Sequence, residues 1–230
     1  MQKDIIVSIL NTYTKLWFLE DFILFNNLGR ITMMKMASVL EMENIDKKEI
    51  IELNRGHKKH IFFLKKGVVK IVDTYTGITK DVVNKGSIFG ELALFDHDSC
   101  VQEQAVALED CVLCSIEVDR MLGAMNRFPF LKKNMFKAYV ARIKKLEQRL
   151  GAIASNDSAT RINDFILNYI SEFGQQQNRR VIAKNLLSHK DIASITNTSR
   201  QTVSNIMSGM RKEGTIEYDS EFISISCYKN

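Results

Sequence analysis

One proline, one tryptophan, four histidines and four cysteines among 230 residues set the first limits on this chain. The cysteines stand at positions 100, 111, 114 and 227, too few and too uneven for a disulfide framework, so reduced thiols are expected. Long apolar runs are missing too. The longest, such as Trp17-Phe18-Leu19 and Ala105 to Leu108, fall far short of the ~20 residues that span a bilayer. Met1-Gln2-Lys3-Asp4 leads into only six apolar or small residues before Asn11, without the longer run and cleavage site of a secretory signal. No membrane segment and a cytoplasmic location are the expectation. What is present is an ordinary globular mixture, 45% hydrophobic and 26% charged, which excludes disorder and collagen and fits one large domain or two small ones.

The scarcity of histidine bears on chemistry. His57 and His60, in His-Lys-Lys-His, would point to opposite faces of a strand, and two ligands do not complete a metal site, so both read as solvated loop residues. His97 after Asp96 stands alone as a haem-ligand candidate. Cys111-Val112-Leu113-Cys114 has the same odd spacing, and its thiols read as core side chains. A metal-dependent β-barrel enzyme needs His and Glu clustered at even spacing on strands, and none is present. The chain reads as a non-enzyme with no metal site.

The net charge of +5 is unevenly spread. Residues 131–150 hold seven Lys or Arg (132, 133, 137, 142, 144, 145, 149) against Glu147 alone, a local +6; residues 151–230 carry +1 and residues 1–130 about −2. A mildly acidic front does not suit a sequence-independent phosphate binder. A basic middle followed by a Ser- and Asn-rich tail does.

Gly56, Gly67, Gly77, Gly86 and Gly90 recur about every ten residues through a Val- and Ile-rich stretch, which implies short strands with tight turns. His60 to Leu64, Val68 to Asp73, Lys80 to Val83 and Cys111 to Ile116 are the expected strands, and their even spacing suggests a barrel or jelly roll. Ile5 to Leu10, Leu16 to Phe25 and the methionine-rich Arg30 to Leu40 read as helices over one end of it.

Pro129 suits the first turn of a helix and marks a boundary. Phe136, Tyr139, Ile143, Leu146, Leu150 and Ile153 then follow at alternating spacings of three and four, an a/d seam, and the basic residues sit around it. The seam predicts a helix that pairs with its own copy; an amphipathic helix lying on its own domain would also show one apolar stripe. Ser155-Asn156-Asp157-Ser158 breaks the seam and supplies N-cap residues for a new helix carrying Ile162, Phe165, Ile166, Tyr169 and Ile170. Gly174-Gln175-Gln176-Gln177-Asn178 reads as a polar loop.

From Ser188 to Ile216 two short helices are separated by a three-residue polar turn. Ile192, Ala193 and Ile195 make the inner face of the first. Ser199 caps the second, in which Val203, Ile206 and Met210 face inward while Arg200, Gln201, Ser204 and Asn205 face outward near its start. A helix that enters the major groove needs this division between a packed face and a polar N-terminal end. Ile216 to Ile225 alternates around a two-residue turn, as the wing of a winged helix would. A helical hairpin without a nucleic-acid partner is the alternative.

With those residues in place the chain resembles the Crp/Fnr superfamily of bacterial transcription regulators, from about Glu20 to Ile225. Arg55-Gly56, Phe63 to Gly67, Gly86 to Phe95 and Ala107 to Cys111 match the family's cyclic-nucleotide-binding β-roll, with Gly90-Glu91-Leu92 as its phosphate cassette. Pro129 to Arg161 resembles its dimerisation helix and hinge, and Ser199 to Ser204 its recognition helix. The resemblance implies an α+β fold: a double-stranded β-helix (jelly roll) sensor domain with N-terminal helices at 1–128, a long dimerisation helix at 129–154 and a winged helix-turn-helix at 155–230. It implies a homodimer that binds double-stranded DNA at a two-fold-symmetric site and works with RNA polymerase.

The resemblance breaks at the ligand pocket. Phe89, Gly90, Glu91 and Leu92 are in place, but the Arg-Ser or Arg-Thr pair that neutralises the cyclic phosphate is replaced by Val101 and Gln102, and no Lys or Arg lies between Glu91 and Arg120. The Thr-Ser pair that reaches the adenine is replaced by Leu146 and Glu147. The expectation is a regulator that does not respond to cyclic AMP, with Gly90 and Glu91 kept for structure; the alternative responds to a cyclic nucleotide or other small molecule through a non-standard pocket. No cysteine precedes Cys100, which excludes the family's iron–sulfur branch, and no cofactor is expected. On the DNA side, the resemblance puts Arg200 on guanine, Gln201 at a position suited to adenine, and Asn205 where many members carry a second Arg. Ser188, His189, Ser199, Thr202 and Ser204 complete the expected DNA-binding set, with Ser188, Ser199 and Thr202 as phosphate contacts.

Overall fold

A computed structural model describes residues 15, 18–20, 22–26, 28–56, 58–95 and 102–226, which divide into two compact units. The first lies within Met1–Gly77 and Asp81–Lys144, the second comprises Ile78–Lys80 and Lys145–Asn230. The helix expected at Ile5 to Leu10 lies outside the described residues. Of Leu16 to Phe25, the described part includes a short 3-10 turn, Ile23–Phe25, and Arg30–Val39 forms α1 as expected.

Nine strands follow: β1 (Glu41–Ile45), β2 (Ile50–Ile51), β3 (Asn54–Arg55), β4 (Lys58–Lys66), β5 (Val69–Asp73), β6 (Thr79–Val83), β7 (Ile88–Phe89), β8 (Glu103–Ala107) and β9 (Cys111–Glu117). Among the described residues they make two sheets, β1-β9-β4-β3 with β7 on β4, and β2-β8-β5-β6, with the antiparallel pairing of a jelly roll. Strand β4 is the centre of the core. Ile61, Phe62, Phe63 and Leu64 are buried in succession, so both of its faces are covered and its sequence shows no alternation. Phe63 meets Phe22 and Phe25 at 5.5 and 5.2 Å, while Phe62 stacks on Phe89 at 5.0 Å. Aromatic pairs of this kind add about 0.5–1.5 kcal/mol each beyond their buried area.

His60 is not a solvated loop residue: β4 begins at Lys58, and the ring is buried, its Nδ1 3.1 Å from the Lys58 carbonyl and its centroid 6.3 Å from Phe62. His57 and His97 lie outside the described residues. Cys111 and Cys114 are buried core thiols on β9, pushed up by burial to about 11 and about 12, so neither is a thiolate at neutral pH. Among the described residues no group of three His, Cys, Asp or Glu is placed to hold a metal, and no helix is long and apolar enough to cross a membrane.

Helix α2 (Val118–Arg127), which the sequence reading missed, leads into α3 (Pro129–Ser155), a single helix of 27 residues starting at the proline. Two stripes run along α3. Leu131, Asn134 and Met135 are buried on the first unit, where Asn134 Nδ2 donates to the carbonyls of Ile23, Leu24 and Asn26 at 3.3, 3.0 and 3.4 Å. This amide satisfies the open end of the 3-10 turn. Phe136, Ile143, Leu146, Leu150 and Ile153 form the second stripe and are between 39% and 66% exposed. Tyr139 departs from that seam: it is half-buried, with its hydroxyl on the Glu91 carbonyl at 2.5 Å.

In the second unit Asp157 caps α4 (Ser158–Phe173), accepting from Thr160 N at 2.7 Å, as the Ser-Asn-Asp-Ser break predicted. A four-stranded sheet, β10 (Gln175–Gln177), β11 (Arg180–Lys184), β13 (Phe222–Ser226) and β12 (Glu217–Tyr218) in that order, packs against α4, which in turn packs with the helices α5 (His189–Thr196) and α6 (Arg200–Lys212). The glutamine run is therefore a strand rather than a loop. Its edge position in the ladder with β11, not side-chain propensity, makes it so.

Candidate nucleic-acid interface and ligand pocket

The helix pair α5–α6 is built by its caps. Ser188 and Asp191 form a reciprocal capping box at the start of α5, with Asp191 N on Ser188 Oγ at 3.2 Å and Ser188 N on Asp191 Oδ2 at 3.0 Å. Asn197 ends α5 in the left-handed conformation at φ 51°, which an asparagine tolerates, and Thr198 N returns to Ala193 O at 2.9 Å. Ser199 then caps α6, accepting from Thr202 N at 3.0 Å. The turn is Asn197-Thr198-Ser199, three residues, as expected.

The inward faces differ from the sequence reading by part of a turn. In α6 Val203, Met207 and Met210 are buried and Ile206 is half-buried; in α5 Asp191, Ile192, Ala193 and Thr196 are buried and Ile195 is half-buried. Thr196 tolerates burial because its hydroxyl bonds back to Ile192 O at 2.8 Å. Of the residues expected outward, Arg200, Gln201 and Asn205 are exposed and Ser204 is half-buried; Thr202 is half-buried too. Gln201 Nε2 donates to Asn205 Oδ1 at 2.9 Å, so the two amides form one unit. Ser188 and Ser199 are exposed, with their hydroxyls engaged in caps, and His189 is half-buried.

The wing is the hairpin β12–β13, and Asp219 N to Phe222 O at 2.9 Å closes a two-residue tip, Ser220-Glu221. Asp219 accepts from Glu221 N and Phe222 N at 2.7 and 2.8 Å, and these bonds hold its carboxyl below the usual carboxylate range. Arg180 pairs with Glu217 across the sheet, and Arg211 lies 5.0 Å over Tyr218. The wing tip is acidic.

In the first unit Gly90 opens a 3-10 turn, Glu91–Leu94, at φ 76°. A Cβ there would stand 2.5 Å from the His60 carbonyl, so both the backbone angle and the close approach require glycine. Glu91 is buried, and Arg142 from α3 donates through Nη1 to its Oε1. Glu91 Oε2 is buried without a hydrogen-bond partner among the described residues. Burial pushes the Glu91 carboxyl above its ordinary value despite the pull of Arg142; burial also opposes the Arg142 charge, but the charge and hydrogen bond of Glu91, with the charges of Asp81 and Glu103, together raise Arg142. Phe95 stacks on Phe136 at 6.2 Å and meets Tyr139 at 5.9 Å, which ties the turn to α3. Phe89 is buried, Leu92 half-buried and Gln102 exposed, its carbonyl accepting from Thr74 N at 2.9 Å; Val101 lies outside the described residues. No Lys or Arg lies between Glu91 and Arg120 in the chain, yet Arg142 supplies a cation from 51 positions away, and the sequence carries no local sign of it.

A jelly roll with a Gly-Glu turn and a capped helix-turn-helix with a wing are the parts of a helix-turn-helix type of transcription regulator. Residues 43–128 match the cyclic nucleotide-binding domain model, and residues 160–226 match the Crp-like helix-turn-helix domain model. The chain belongs to the Crp/Fnr family of transcriptional regulators. It is 24% identical to a global nitrogen regulator of Nostoc sp. over 188 residues, 80% of this chain and 84% of that one. It is 23% identical to a cyclic AMP receptor protein of Thermus thermophilus over 160 residues, 68% of this chain and 70% of that one. Among solved structures, FixK2 from Bradyrhizobium japonicum shares the fold with a TM-score of 0.67 at 14% identity, covering 81% of this chain and 92% of that one. The global regulator CLP of Xanthomonas campestris does so at 0.66 and 13%, covering 88% and 100%.

Proposed function

We propose that the chain acts as a homodimer, pairs through the exposed stripe of α3, and reads a two-fold-symmetric DNA site with α6 without needing cyclic AMP. The observation that carries this reading is the split of α6: Val203, Met207 and Met210 are buried while Arg200, Gln201 and Asn205 are exposed at its N-terminal end. Arg200 makes the bidentate contact to guanine, worth about 1–3 kcal/mol of discrimination, and Gln201, oriented by Asn205, faces adenine. Ser188, His189, Ser199, Thr202 and Ser204 line the phosphates, with capped helix N-termini offering N–H groups as well. The three parts are the sensor at 1–128, the dimerisation helix at 129–154 and the reader at 155–230. Symmetry places two half-sites about one helical turn apart, and RNA polymerase is the onward partner, in the cytoplasm.

The pocket reading follows from Arg142. The Glu91 carboxylate that would take a ribose hydroxyl already holds a guanidinium of its own chain, which supports a pocket of Phe89, Gly90, Glu91, Leu92, Val101 and Gln102 that does not answer to cyclic AMP. One observation favours the second reading, a small-molecule effector: the unpartnered Glu91 Oε2 would accept from a ligand donor. Selection of bound sequences from random duplexes, with no ligand added, tests the first. Recovery of a symmetric site in which Arg200→Ala loses one G supports it; enrichment only after cyclic AMP or another small molecule is added supports the second. Calorimetry with cyclic AMP and cyclic GMP separates the nucleotides.

A further inference from the structure

Arg161 sits in the first turns of α4, where a positive charge opposes the helix dipole. Its guanidinium leaves that helix for three backbone carbonyls: Nη1 donates to Asn156 O at 2.7 Å, Nε to Thr196 O at 2.9 Å and Nη2 to Asn197 O at 3.2 Å. Asn156 follows the last residue of α3, Thr196 is the last residue of α5, and Asn197 is the left-handed residue that opens the turn into α6. One side chain thus meets the open carbonyl ends of two helices, where a cation is favoured, and it is half-buried there. The planar fork suits the task. Five N–H donors in fixed geometry can reach three acceptors in different directions, which a lysine ammonium cannot do without displacing one of them.

The three residues joined are those whose placement sets where α6 starts. Val203, Met207 and Met210 fix how α6 packs, but the turn Asn197-Thr198-Ser199 fixes where Arg200 and Gln201 stand relative to the exit of α3. We infer that Arg161 is a positioning residue for DNA reading, one that clamps the exit of α3 to the helix-turn-helix turn and so sets the base-contact end of α6 without touching DNA. The inference rests on the DNA-reading role of α6.

The test uses the full chain with Arg161→Lys and Arg161→Ala. Affinity for the selected site and for a scrambled duplex is measured at several salt concentrations, beside thermal melts and amide hydrogen exchange of the DNA-free proteins. In Arg161→Lys we expect a wild-type-like melt, faster exchange at Asn197 and Thr198, and a loss of about ten-fold in specific affinity, the size of one charge-assisted bond. Scrambled-duplex affinity and the salt slope should stay as in wild type. Arg161→Ala should lose more specific affinity, and a melt showing it unfolded leaves the lysine variant to decide. Equal losses on both duplexes with a shallower salt slope would make Arg161 a phosphate contact and overturn the inference. So would unchanged exchange at the turn or unchanged specific affinity in the lysine variant. If the wild type selects no site, the DNA-reading role fails on its own, and the exchange rates still decide whether Arg161 holds the turn.

Discussion

The exposed stripe of α3 gives the most quantitative test. Fully burying a leucine side chain is worth about 1.5–3 kcal/mol. Leu150 is 66% exposed in the single chain, so closing it against a second copy is worth about 1–2 kcal/mol. A two-fold interface contains the residue twice, so Leu150→Ala should weaken the dimer by about 2–4 kcal/mol, or ~30- to 1000-fold in dissociation constant. Gln148, exposed on the same helix and off the stripe, serves as control, and Gln148→Ala should leave the constant unchanged. Sedimentation equilibrium over a dilution series reads the wild type and the Leu150→Ala, Ile143→Ala and Gln148→Ala variants, with the helical signal confirming that each is folded. A wild type that stays monomeric at the highest concentration, or a dimer indifferent to both Leu150→Ala and Ile143→Ala, would refute the reasoning and leave α3 as a helix serving its own unit.

Breaking the Glu91–Arg142 pair from one side should cost more than removing both partners. Since the Arg142 side chain is 34% exposed and can take water, Arg142→Met should destabilise by about 1–3 kcal/mol in urea unfolding, and adding Glu91→Gln should recover most of it. The folded state holds the Glu91 proton more tightly than the unfolded chain does, so its contribution is present at low pH and is lost as pH rises through its raised value. The stability of wild type relative to Glu91→Gln should therefore fall over that rise, and a flat difference would contradict it. Gly90→Ala should cost about 1–3 kcal/mol or more in thermal melts, because both the left-handed φ and the His60 carbonyl oppose a Cβ. Glu221→Lys, at the acidic wing tip, should tighten DNA binding in titrations and do so most at low salt; equal affinity at all salt concentrations would remove the wing from the interface.

What could be read from the sequence was what is local. The strand runs at His60 to Leu64 and Cys111 to Ile116, the proline start of α3, the Asp157 cap and the three-residue turn before Ser199 all rest on neighbours within a few positions, and the structure has each of them. Strands β1 and β8 were missed because Glu41-Met42-Glu43-Asn44-Ile45 and Glu103-Gln104-Ala105-Val106-Ala107 carry mixed signals that only the ladders with β9 and β5 resolve. Met207, not Ile206, is buried in α6, and the sequence does not separate them because a short helix tolerates either phase until its packing partner is fixed. The same limit hid Arg142, Asn134 and Arg161. Each acts on groups that are close in space but far away in the chain, 51 positions for Arg142 and Glu91, 110 for Asn134 and Leu24, and 35 for Arg161 and Thr196. The resemblance carried the fold and the reader helix, but it could not show that the pocket carboxylate is held by its own long helix.

If the chain pairs through α3 as proposed, the charge on that helix gives the dimer an unusual dependence on its medium. Residues 131–150 carry +6, so two copies lying side by side bring two like-charged rods together, and added salt relieves their repulsion. DNA binding runs the other way, because every phosphate contact releases counterions and weakens as salt rises. Assembly favours concentrated electrolyte and recognition favours dilute. Occupancy of a DNA site should therefore pass through a maximum at an intermediate ionic strength, which would make the protein sensitive to the salt content of its surroundings without a dedicated sensor for it.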